Sequence, residues 1–151
     1  MLQGCWCWVL RGGGVAGVEP SPWEPEINKL HSIELNIAVI EKRLVKLDVD
    51  ETLPPGTVNR LNAMENKLGV LDTRLADTLY LLPPFSQLDT GTQEEIFLSV
   101  DAIRTDASGM GDIFSRIVER MGIEPSPWEP VLSSIIGRIN VYIGRPIDTL
   151  P

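Results

Sequence analysis

His31 is the single histidine of the chain, so any relay that activates a serine or cysteine through an imidazole has to run through it. It lies beside Leu30 in a helical pattern, and no residue close in sequence is placed to orient its ring. A partly buried packing or rim histidine is the expectation. Cys5 and Cys7 are the two cysteines, spaced so that they point to opposite faces of an extended chain. A disulfide between them would be strained, and no second Cys/His pair exists to complete four metal ligands. They read as two thiols.

Asp48-Val-Asp-Glu51 opens like a calcium loop, but Leu53 and Asn59 stand where the glycine and the bidentate glutamate belong. It reads as an acidic helix end before a turn. Asp106-Ala-Ser-Gly-Met-Gly-Asp112 has the glycines of a phosphate loop without the following lysine or a preceding strand, and its two acids would repel phosphate. It reads as a flexible joint. Glu94 and Asp101 lie one heptad apart, a spacing open to acid–base work, although acids on a helix exterior ordinarily form a solvated face. No catalytic, cofactor-binding or metal-ligating residue is assigned, and the expectation is a protein that is not an enzyme and carries no cofactor.

The elements that hold these residues belong to a chain of 151 residues, enough for one ordinary domain or two very small ones. It is 43% hydrophobic and 23% charged, which is the balance of a globular protein. Its net charge of −8 argues against nucleic acid or an anionic membrane as the main partner, since both reward clustered cations. No stretch approaches the roughly 20 apolar residues of a membrane span. Residues 1–18 stand apart as an apolar, acid-free arm with a glycine hinge at Gly12–Gly14. Arg11 follows the apolar run instead of preceding it, so no signal peptide is recognised. The arm is expected to pack on something, a neighbouring chain included.

The most specific feature is a duplication. Glu19-Pro-Ser-Pro-Trp-Glu-Pro25 recurs letter for letter as Glu124-Pro-Ser-Pro-Trp-Glu-Pro130, an offset of 105. Each copy is followed by a helical pattern, and each pattern closes on acid-Thr-Leu-Pro, at Glu51–Pro54 and Asp148–Pro151. Residues 19–122 thus read as one helical repeat unit and 123–151 as the opening of a second. Within the motif, either Ser caps a helix whose first residue is Pro, or Glu caps one that begins at the second Pro. Trp23 and Trp128 sit at the helix mouths, where a structural staple is the expected role.

Four helices follow from apolar spacing. The first, 25–49, carries Leu30, Ile33, Ile37, Ile40, Leu44 and Leu47 at alternating steps of three and four. Leu35, Val39, Val45 and Val49 add apolar surface on another face, which predicts neighbours on two sides. Pro54-Pro-Gly56 ends it. The second, 57–82, uses Leu61, Met64, Leu68, Leu71, Leu75 and Leu82, with Thr78 as the polar exception. The third opens with the capping-box pattern Thr92-Gln-Glu-Glu95 and runs to Met121 through Ile96, Val100, Ile103, Ala107, Met110, Phe114 and Ile117. Gly109 and Gly111 inside it predict a kink or a break. The fourth runs from Val131 to about Ile143.

No alternating strand pattern is present, and the fold class is all-α, as either a segmented coiled coil or a helical bundle. Sustained heptads favour self-association, and Ile at both seam positions favours three or four strands, with a trimer as the expected homo-oligomer. The functional expectation is a non-catalytic structural or assembly protein that associates with itself or with a larger protein assembly. A virion-associated fibre or decoration component suits such an architecture, which places it in a virion or in cytoplasm. The alternative is a monomeric helical-bundle adaptor that binds a protein partner. The interaction residues in either case are Trp23, Trp128, the first seam, and Ile96, Val100, Ile103, Phe114 and Ile117.

Overall fold

Helix boundaries follow from the proline and glycine punctuation. The computed structural model describes residues 22–50, 52–123 and 125–144. The N-terminal arm with Cys5 and Cys7, the start of the first motif copy, and the Asp148–Pro151 closing sequence lie outside the described residues. Among the described residues are α1 (Glu24–Val49), α2 (Thr57–Leu81), α3 (Thr90–Met121) and α4 (Glu129–Tyr142), with one 3-10 turn at Phe85–Gln87 and no strand.

Both motif copies start a helix in the same way, two residues after the start with Ser as cap and one before the start with Glu as cap. Trp23 and Trp128 occupy the capping position, and Glu24 and Glu129 begin the helix ahead of Pro25 and Pro130. The Trp23 carbonyl accepts from the Ile27 N–H at 2.9 Å, and that of Trp128 from the Leu132 N–H at 3.0 Å. A proline in the first turn removes only a donor that had no intrahelical partner. Gly56 adopts φ 83°, which lets the Pro54–Gly56 turn feed α2.

α3 begins two residues earlier than its Thr92–Glu95 pattern suggests. Asp89 is the cap: its Oδ2 accepts from the Thr92 N–H at 3.0 Å and its Oδ1 from the Thr92 hydroxyl at 2.7 Å. The helix then continues unbroken for 32 residues, through Gly109 and Gly111. Neighbouring elements flank both glycines, Glu41 of α1 beside one and Leu132 of α4 beside the other. Packing on two sides outweighs the roughly 1 kcal/mol that each glycine costs a helix. Gly122, at φ 70°, closes α3 by donating its N–H to the Val118 carbonyl.

The helices fold back on one another within the chain as a four-helix bundle. α1 packs against α2 and α3, while α4 packs against α3 and α2. α1 and α3 run parallel, because His31 meets Ser99 and Asp48 meets Arg116 at the same separation of 68 residues. α2 and α4 are also parallel, joined at Asp72–Ser134 and Pro83–Tyr142. α3 and α4 are antiparallel, with Arg104 on Asn140 and Phe114 on Trp128. The link from α2 to α3 therefore crosses the end of the bundle diagonally. The Gln93 side-chain amide donates to the Phe85 carbonyl there at 2.8 Å, and Tyr142 meets Phe85 edge to face.

All six residues of the first seam are buried, as are Leu61, Leu68, Leu75, Ile96, Val100, Ile103, Ile117, Ile135 and Ile139. Thr78, the polar residue in the α2 seam, is buried too, and its hydroxyl donates to the Arg74 carbonyl at 2.7 Å. That satisfies the group without help from another helix.

Candidate functional site

His31 does have partners: Ser99 from α3 and, at an ion-pair distance of 3.6 Å, Glu34 from its own helix. Its Nδ1 lies 2.7 Å from the Ser99 hydroxyl, which also sits 3.0 Å from Glu34 Oε1. Ser99 carries one hydroxyl proton, so donating to Glu34 while accepting from His31 satisfies all three groups. Glu95 Oε2 stands 3.8 Å from Nε2 on the other side of the ring, an ion-pair distance too long for a hydrogen bond. The set has the residue types of a serine relay. Ser99, however, is only 1% exposed in mid-helix, so its oxygen faces the α1–α3 seam and offers no approach to a substrate carbonyl. The arrangement acts as a polar clasp between α1 and α3.

Further along the same seam acids gather, with Lys42 the one cation that acts on Glu41 among the described residues. Glu41 Oε2 lies beside Gly109, and its carboxyl is pushed above the ordinary range by burial and by the charge of Asp106. Asp106 is raised in turn by burial and by Glu34. At the far end arginine pairs with an acid across the seam. Arg116 reaches the Asp48 carboxylate at 2.9 Å, and Arg120 donates to the backbone carbonyls of Asp48 and Asp50. The calcium-like run therefore spends its first acid on arginine, and no group of three ligating side chains that could hold a metal occurs among the described residues.

The opposite flank of α1 is basic. A cleft along the α1–α2 seam is lined by Arg43, Lys46, Asp50, Arg60 and Lys67 over a floor of Leu47 and Met64. A second cleft in line with it adds Lys29 and Arg74 with Asp77. Between the two flanks runs the outward face of α1, where Leu35, Val39, Val45 and Val49 are exposed, Leu35 by 66% and Val49 by 71%. The predicted second neighbour for this face is not among the described residues. Lys42 lies within the ridge.

Most of the other residues picked from the sequence serve the interior. Ile96, Val100, Ile103 and Ile117 join the first seam in one core, and Phe114 is partly buried beside it. The two tryptophans differ despite identical motifs. Trp128 is fully buried on Phe114, whereas Trp23 is partly buried against the core. Asp101 pairs with Arg104, not with Glu94. Because α1 and α4 run antiparallel, Trp23 and Trp128 sit at opposite ends of the bundle.

Sequence reasoning missed the charged rows. Glu34, Glu41 and Asp48 recur every seven residues, and so do Arg60, Lys67 and Arg74. That heptad spacing was the available signal, since it places each row on one flank of its helix. No protein-family model, curated protein or solved structure matches the chain.

Proposed function

We propose that the protein is a non-catalytic helical assembly module that associates with further copies of itself. The observation that carries this reading is the exposed ridge of Leu35, Val39, Val45 and Val49. These residues lie on a helix whose inward seam is already covered by the chain's own helices. A row of exposed aliphatic residues along about 21 Å of one helix is more than isolated surface hydrophobics account for. Assembly on this reading uses the outer face of α1, because the heptad seams are occupied inside the bundle. A fibre or decoration subunit of a larger particle, a virion included, is the setting in which such a module fits.

The test is solution mass by light scattering over a concentration series of the full chain. A closed oligomer that persists on dilution is the expected result. A monomer at every concentration would overturn self-association and leave the same ridge as the docking face of a monomeric adaptor for another protein.

A further inference from the structure

We infer that two copies pair through α1, parallel and in register, about a two-fold axis running along that helix. The inference rests on the self-association proposed above and specifies its surface and geometry.

Three strips run side by side along α1. The central ridge carries Leu35, Val39, Val45 and Val49, with Lys42 one heptad after Leu35 and Lys46 one heptad after Val39. The flank toward α3 carries Glu34, Glu41 and Asp106; Glu34 lies 3.6 Å from His31 and Glu41 feels Lys42, both on α1 itself, and no cation of α3 pairs with any of the three among the described residues. The flank toward α2 carries Arg43, Lys67 and Arg74, none of which is in an ion pair among the described residues, with Asp50 and Asp77 lining the same clefts. Acids predominate on one flank and cations on the other in a chain of net charge −8. Inside one molecule the two rows never meet, because the body of α1 separates them.

Symmetry then selects the orientation. When two helices pair in parallel about an axis along their length, the left flank of one faces the right flank of the other. When they pair antiparallel, like flanks face each other. Only the parallel arrangement sets Glu34, Glu41 and Asp106 of each copy against the basic flank of the other, and it does so twice. Heptad spacing brings successive charges about 10.5 Å apart on both rows, so the match extends along the helix. The surface is self-complementary, and a second copy of this chain is the partner that meets all three strips.

Lys42 sits in the ridge and would approach its counterpart at the axis. A lysine there costs affinity while disfavouring shifted registers. Its replacement by leucine should tighten the pair.

The experiment uses the full chain. The double variant Leu35→Glu with Val49→Glu should raise the dimer dissociation constant by about 100-fold or more, because four apolar side chains leave the interface. Both residues are exposed in the bundle, so helicity by circular dichroism should not change. In a chain also carrying Cys5→Ser and Cys7→Ser, Leu35→Cys should cross-link with itself on oxidation, and so should Val49→Cys. Cross-linking only between the Leu35→Cys and Val49→Cys chains would overturn the parallel geometry. An oligomer of unchanged mass in the double glutamate variant would overturn this interface while leaving self-association standing. A wild-type monomer at all concentrations would overturn both.

Discussion

Trp128 stacks on Phe114 with ring centroids 4.9 Å apart and planes inclined by 19°, which joins the first residue before α4 to the last third of α3. The indole is completely buried, and its Nε1 has no acceptor among the described residues. Trp23 occupies the equivalent place at the start of α1 and remains partly exposed. The same seven letters therefore start two helices but anchor only one of them deeply.

Trp128→Ala should cost about 3–5 kcal/mol, as expected for emptying a large buried aromatic site. Trp23→Ala should cost clearly less. Denaturant unfolding of the two variants gives both numbers, and equal losses would contradict the difference in burial.

Ile37 is fully buried in the first seam. Ile37→Asp places a carboxylate there with no cation beside it and should cost at least about 4 kcal/mol, enough to abolish cooperative thermal unfolding. Ile37→Val at the same place should cost about 1 kcal/mol, so a melt of that variant separates size from charge.

Glu41 and Asp106 both have raised carboxyl pKa values in the folded state, burial being the first cause in each. The folded chain thus binds protons that the unfolded chain has released. Their contribution to stability is full below the ordinary carboxylate range and is lost as pH rises through the folded values. At neutral pH they are a penalty. Glu41→Gln and Asp106→Asn should each raise the melting temperature at pH 7, and the gain should shrink toward pH 4.

Asp89 has the opposite sign. Its pKa is lowered, first by the hydrogen bond from the Thr92 side chain and then by that from the Thr92 backbone. Its contribution is present above the ordinary aspartate value and is lost as pH falls through the folded one. Asp89→Ala should lower stability at pH 7 and converge with wild type in strong acid, as read by chemical denaturation across pH.

Asp72 ties α2 to α4 by accepting from Ser134 at 2.8 Å and from Arg138 at 2.9 Å. Asp72→Ala leaves both donors without their acceptor and should cost about 1–2 kcal/mol. A double-mutant cycle with Arg138→Ala should recover part of that loss, and strict additivity would mean that the clasp is not formed.

Residues that share a helix face were legible from the sequence, and residues that share a neighbourhood were not. The 3-and-4 spacing of Leu30, Ile33 and Ile37 marks a buried stripe because helical geometry turns about 100° per residue, whatever lies opposite. His31 shows the limit. Its ring is held by Ser99, 68 residues away, and nothing local announces that α3 passes α1 in that register. Gly109 and Gly111 show the same limit from the other side. Propensity predicted a break, and packing between α1 and α4 carries the helix straight through.

The sequence by itself determined the all-α class, the helix spans to within two residues, and the inward face of each helix. Those features depend on periodicity, on proline's missing donor and on glycine's access to positive φ, all of them local. Only the tertiary structure decided that α1 lies between α2 and α3. That position buries Trp128 more deeply than Trp23 and turns heptad rows of charge into an acidic flank and a basic one. The choice among possible neighbours depends on contacts between residues far apart in the chain, and no local pattern encodes it.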